Sequence, residues 1–209
     1  ARVKNLCAER NLPFGVGVKK IGHAGTLDPF ATGLLIVGVN EGTKRLDEYM
    51  GLPKTYVMDV LLGKSTDTGD PEGTILEEKE VKEIDESLLK KILKEMEGEI
   101  ELPIPKYSAV KHKGIPLYAY ARKNIPVEEK FRRTKIFYLK LLGIEPQENK
   151  LILKIEMKCE KGTYARSVGE EVGRRLGMPA MLQDLRRTKI GDINVSQAEK
   201  IEHDIIRIR

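Results

Sequence analysis

Gly22-His23-Ala24-Gly25-Thr26-Leu27-Asp28-Pro29-Phe30-Ala31-Thr32-Gly33-Leu34 sets three glycines, one proline and two threonines in thirteen residues, with a single acid among them. Such a run specifies a fixed, non-repetitive backbone rather than a helix or a strand. Pro29 has no amide hydrogen and pushes the residue before it toward the extended region. Asp28 is therefore expected on a shaped loop, where its carboxylate can be aimed at a ligand. Asp-Pro is also a common helix start, with Asp as N-cap and Pro at the first helical position. Taken as a dipeptide it favours that second reading.

Working outward, Val3, Leu6 and Cys7 fall on one face of a helix already under way at Ala1, and residues 11–19 read as a loop leading into the glycine-rich run. Beyond it, residues 34–39 form a short apolar run expected to be a buried strand, followed by a short helix over 43–50. Residues 54–62 are apolar on both alternating faces, which predicts a central strand. Apolar residues at 84, 88, 89, 92, 93 and 96, with Asp85 before them and Gly98 after, specify an amphipathic helix. Residues 151–159 alternate apolar and charged as a strand with one wet face. A helix opening after Glu160 runs to Leu176 and ends at Gly177. A strand over 182–193 and a capping box over 196–199, opening a last helix, complete the chain. Strands alternating with a few helices, without a regular βαβ rhythm, predict an α+β protein on a mixed or antiparallel sheet.

The chain has 209 residues, enough to bury a real core. Its 37 Lys and Arg exceed 32 acids by five, a modest excess that suits a polyanionic partner. Cys7 and Cys159 fit neither a disulfide framework nor a zinc pattern. No apolar run approaches the roughly 20 residues that cross a bilayer, and no secretory signal opens the chain, so a reduced, cytoplasmic protein is expected. Asp67 and Asp70 lack the order of a calcium loop, and residues 63–70 read as a turn. With only His23, His112 and His203 available, no metal site is expected. Residues 99–133 interleave Tyr107, Tyr118 and Tyr120 with Lys106, Lys111, Lys113, Arg122, Lys123, Arg132 and Arg133. That texture fits contacts to phosphates and unstacked bases as well as it fits a solvated excursion anchored by tyrosines.

Gly-His-x-Gly-Thr-Leu-Asp-Pro-x-Ala-x-Gly-Leu-Leu at 22–35 resembles the catalytic signature of the TruB family of tRNA pseudouridine synthases. Two shorter matches accompany it: Lys-Thr-Tyr at 54–56 and Lys-Gly-Thr-Tyr-x-Arg at 161–166. The resemblance, which covers nearly the whole chain, implies the pseudouridine synthase catalytic fold with its cleft across a central sheet. It implies that Asp28 is the nucleophile, that Arg166 is its ion partner, and that Tyr56 stacks on the base and takes a proton from its carbon. It further implies that Tyr164 and Leu185, the latter through Leu-Arg-Arg-Thr at 185–188, line the uridine pocket, and that His23 holds the displaced RNA loop. Residues 104–133 correspond to an RNA-clamping insertion. The family's usual Lys-Pro-x-Gly-x-Thr-Ser segment does not occur, which suggests a chain shortened at its start. A C-terminal PUA domain is likewise expected to be absent, leaving one catalytic domain over 1–209.

Isomerising uridine to its carbon-linked form requires no cofactor, nucleotide or metal. One ionised carboxylate is enough, and a neighbouring guanidinium favours its charged form. A uridine inside folded RNA must also leave its stack, with aromatic and apolar side chains replacing the lost contacts. By residue type alone, Arg166 could equally be a surface ion partner, and Tyr56, Tyr164 and Leu185 could be core packing. The expected substrate is tRNA, at uridine 55 in the T arm, bound by a monomer. A guide-RNA-dependent subunit and a non-catalytic RNA-binding or RNA-folding protein are the alternatives.

Overall fold

The computed structural model describes residues 19–199. The expected helix around Val3, Leu6 and Cys7, most of the loop at 11–19, and the last helix beyond Glu199 lie outside the described residues.

The chain begins with β1 (Ile21–His23), β2 (Thr32–Gly33) and β3 (Val37–Val39), followed by a 3-10 turn (Asn40–Arg45) and α1 (Leu46–Gly51). β4 (Lys54–Leu62), β5 (Lys64–Thr66), β6 (Ile75–Glu78) and α2 (Glu86–Glu95) come next. β7 (Gly98–Pro103), β8 (Lys111–His112), β9 (Ile115–Pro116) and α3 (Leu117–Ala121) precede the two long strands β10 (Phe131–Gln147) and β11 (Lys150–Cys159). α4 (Ala165–Leu176), β12 (Ala180–Ile190) and β13 (Ile193–Asn194) complete the described order.

A central seven-stranded sheet runs β13-β12-β4-β11-β10-β7, with β2 added beside β12. Every pairing in it is antiparallel except β2 with β12. The fold is α+β on a mixed sheet, as the sequence predicts. β4 is central, and its two apolar faces have different partners. Met58, Val60 and Leu62 face the main core with Leu89, Ile92 and Leu93 of α2 and Val168 and Val172 of α4. Leu61 sits on the other face with Ile152 and Met181. α2 starts where the sequence places it: the Asp85 carboxylate accepts from the Ser87 and Leu88 amides. α4 ends at Gly177 in the left-handed conformation.

Four expectations need correction. The apolar run at 34–39 is a strand only over Val37–Val39, and it pairs with β1 in a separate two-stranded ladder instead of entering the central sheet. The backbone just before it is committed elsewhere: Leu34 N donates to Arg187 O (2.8 Å) and Ala24 N to Ile36 O (2.9 Å). Part of the polar turn at 63–70 is β5, paired with β6. β10 has no clear counterpart in the sequence periodicity, because register shifts at 136–138 and 141–143 break its alternation, and its first three residues are exposed. The excursion from the sheet consequently ends before Phe131, and Arg132 and Arg133 stand on β10, paired with β7. Finally, the capping box joins Asn194 to Gln197, not Ser196 to Glu199, and it opens a 3-10 turn at Val195–Gln197.

Candidate active site

Asp28 lies in the loop between β1 and β2 and heads a turn, its carbonyl accepting from Ala31 N at 3.0 Å. It therefore caps no helix. Its carboxylate meets a side chain from 138 residues downstream: Arg166 Nε donates to Oδ2 at 3.1 Å and Nη2 to Oδ1 at 3.3 Å. This two-pronged pairing is the geometry that fixes a carboxylate in orientation as well as in charge. The Arg166 side chain is 4% exposed and that of Asp28 is 30% exposed, so the cation is buried while the acid faces an opening.

Arg166 is held from three further directions. Nη1 donates to Thr68 O (2.7 Å) and lies 3.6 Å from Asp70 Oδ2, and Nη2 donates to Tyr107 O (3.1 Å). The turn after β5, the excursion between β7 and β10, and the loop after β1 thus converge on one guanidinium. Asp70 is itself buried, with its Oδ1 accepting from Thr68 Oγ1 and Glu72 N. Sequence reasoning assigned Asp70 only a turn role. The run Thr-x-Thr-x-Asp explains how the turn is held, but nothing local points it at residue 166. One turn along α4, burial pushes the Glu170 carboxyl up to about 7; Arg166 opposes the shift, while Asp70 and Glu129 reinforce it.

Tyr56 is half-buried on β4, directly opposite Arg187 of β12. Burial raises its phenol above the ordinary value; the Asp28 carboxylate adds to the shift, and the Arg187 guanidinium opposes it. Cys159 is buried and free, its thiol pushed up to about 12 mainly by burial. Leu185 is 3% exposed within the main core, in register with Met58. Tyr164 precedes the first residue of α4 and borders a small crevice with Leu102, Pro103, Arg132 and Thr134. His23 is exposed at the end of β1, paired with Val37. The structure therefore joins Asp28 to Arg166 directly and sets Tyr56 close enough for its charge to be felt. It places Leu185 in the core, Tyr164 at the start of α4 beside the crevice and His23 at the exposed end of β1.

Arg187 escaped the sequence reading, although a signal was present: it lies two residues after the inward-facing Leu185 on a strand. Among the described residues no group of His, Cys, Asp or Glu is arranged to hold a metal, and no helix is long and apolar enough to cross a membrane. The chemistry the site can offer is that of one exposed-edge carboxylate, fixed in orientation by a buried cation beside an aromatic hydroxyl.

Known proteins resemble this chain in sequence and in fold. A family model described as the TruB family pseudouridylate synthase, N-terminal domain, matches residues 14–165. The tRNA pseudouridine synthase B of Desulfotalea psychrophila is 42% identical over 188 residues, 88% of this chain and 75% of that protein. That of Aromatoleum aromaticum is 45% identical over 179 residues, 86% of this chain but only 56% of its own length. Among solved structures, one in a Cbf5-Nop10-Gar1 complex aligns with a TM-score of 0.62 at 26% identity, covering 92% of this chain and 46% of that one. Motif, fold and extended identity agree, and the chain belongs to the TruB family of pseudouridylate synthases.

Proposed function

We propose that this chain isomerises uridine in tRNA to pseudouridine, with uridine 55 of the T loop as its target. The observation that carries this reading is the two-pronged pairing of Asp28 with the buried Arg166, which leaves one fixed carboxylate partly exposed. The relatives bearing the name tRNA pseudouridine synthase B support tRNA as the substrate. In the reaction the bond from the sugar to N1 breaks, the base rotates, a bond from the sugar to C5 forms, the C5 proton leaves and N1 gains one. Substrate and product are isomers.

Asp28 serves as the nucleophile and Arg166 stays its ion partner, fixing its orientation, when RNA covers the site. Tyr56 stacks on the flipped base and takes the C5 proton, Tyr164 and Leu185 border the base, and His23 meets the displaced RNA. The excursion at 104–130 clamps the RNA; within it Arg122 lies 5.3 Å from the centre of the Tyr118 ring, a cationic and aromatic pairing suited to phosphate and base together. The enzyme acts as a cytoplasmic monomer.

The test is release of tritium from tRNA carrying 5-tritiated uridine, with no guide RNA added. Release by the wild-type chain is expected, together with a loss of about a thousandfold or more in Asp28→Asn at unchanged tRNA affinity. Normal release by Asp28→Asn would sink the nucleophile assignment. Release that requires a guide RNA would instead favour a guide-dependent subunit, and binding without release a non-catalytic RNA-binding protein.

A further inference from the structure

Arg187 is the largest fully buried side chain among the described residues, at 1% exposure. A guanidinium stays charged, and burying one without an anion is costly. Among the described residues no carboxylate forms an ion pair with it. Its donors go to backbone instead: Nε to Leu34 O at 2.8 Å and Nη2 to Gly25 O at 3.1 Å. Those two carbonyls flank the segment that carries Asp28. The backbone of Arg187 adds a third tie, accepting from Leu34 N at 2.8 Å, and residues 186 and 187 pair with β2. Gly33, with φ of +103°, permits that approach, since a Cβ there would sit 2.2 Å from Arg187 O.

On the other side Arg187 is the cross-strand neighbour of Tyr56. Neighbouring side chains on paired strands share a face. The charges felt around the phenol are those of Arg187 on β12 and Asp28 in the loop, with the neutral, buried thiol of Cys159 on β11 beside them. Lys54, the buried cation two residues before Tyr56, is occupied in donating to the carbonyls of Tyr49, Met50 and Leu52 at the end of α1. Arg187 stands directly across the β4–β12 ladder from Tyr56, and its positive charge opposes the rise that burial imposes on the phenol.

We propose that Arg187 is a positioning residue of the reaction, one guanidinium that fixes the Asp28 loop against Tyr56 and steadies the Tyr56 phenolate that removes the C5 proton. In that step the C5–H bond breaks, an O–H bond forms on the phenolate, and the electron pair returns to the ring as the C5–C6 double bond. The proton reaches solvent when the product leaves. The inference rests on the functional reading above, but half of its test needs no RNA.

Arg187→Met and Arg187→Lys are compared with wild type, thermal unfolding first confirming that each is folded. The ultraviolet titration of the Tyr56 phenolate, obtained by subtracting the Tyr56→Phe titration in each background, is expected to move to higher pH in Arg187→Met and less in Arg187→Lys. Single-turnover tritium release is expected to fall about tenfold or more near neutral pH in Arg187→Met, to recover as pH rises, and to be partly restored by Lys, with tRNA affinity within about threefold. A Tyr56 titration unchanged in either folded variant overturns the proposal, as does a rate loss equal at every pH. A wild-type chain that releases no tritium overturns the functional reading and leaves the phenolate titration to judge the local pairing of Arg187 with Tyr56.

Discussion

A guanidinium presents five N–H donors in one plane. At Arg166 four of them are hydrogen-bonded, two to Asp28 and one each to the carbonyls of Thr68 and Tyr107, and Asp70 lies 3.6 Å from Nη1. Removing the charge of Asp70 while keeping its shape leaves Arg166 with Asp28 as its one close carboxylate partner and loosens the turn that supplies Thr68. Asp70→Asn is expected to lower the turnover rate about tenfold to a hundredfold and to change tRNA affinity less than about threefold, measured by single-turnover kinetics beside filter binding. An equal fall in affinity would mean that Asp70 acts on RNA contacts instead. Glu170 gives a second test at this scale. Its folded-state value of about 7 lies above its ordinary 4.5. The native protein thus holds that proton more tightly than the unfolded chain, and the resulting stability is present below about pH 4.5 and lost as pH rises through about 7. Glu170→Gln should gain stability relative to wild type between pH 5 and pH 8, on the order of 1–3 kcal/mol, in urea unfolding at the two pH values. A gap that does not change with pH would show that Glu170 ionises freely.

The loop bearing Asp28 is an element only because β12 makes it one. β2 is two residues long, and no strand of that length is stable alone. Its parallel pairing with Arg186 and Arg187 and the donors of the Arg187 side chain supply the missing support. Gly33→Ala should therefore cost about 3 kcal/mol or more in chemical denaturation, from a left-handed backbone and a backbone clash together, and should reduce tritium release in the fraction that stays folded. A loss under about 1 kcal/mol would mean that the strand yields easily. By contrast, α2 depends on local chemistry. Asp85→Ala removes the cap received by the Ser87 and Leu88 amides and should cost about 1 kcal/mol without altering activity.

At the scale of the molecule, the residues proposed for catalysis come from the loop after β1 (Asp28), from β4 (Tyr56) and from α4 (Arg166), and the basic excursion leaves the sheet between β7 and β10. Binding of tRNA should weaken steeply with salt, each neutralised phosphate contributing about 0.7 to 0.9 to the log-log slope. Replacing Lys111, Lys113, Arg122 and Lys123 together by Gln should flatten that slope by about two to four and leave thermal stability nearly unchanged, because all four lie on an excursion outside the central sheet. An unaltered slope would place the phosphate contacts elsewhere.

The sequence by itself determined what local rules can determine. The Gly-Pro chemistry of 22–34 required a shaped loop, the two-faced apolar pattern of β4 required a central strand, and the spacing of apolar residues with Asp85 and Gly98 required α2. The family motifs pointed to Asp28, Tyr56 and Arg166 as candidate site residues. Those rules act over a few residues, through backbone sterics and side-chain period. Only the tertiary structure decided that Asp28 and Arg166, 138 positions apart, share two hydrogen bonds. It also turned Asp70 of an ordinary-looking turn toward the same guanidinium, and it set Arg187 beside Tyr56 through the register of β12 on β4. β10 stayed hidden because its bulges interrupt the alternation that announces a strand, and its place in the sheet is fixed by β7 and β11 on either side.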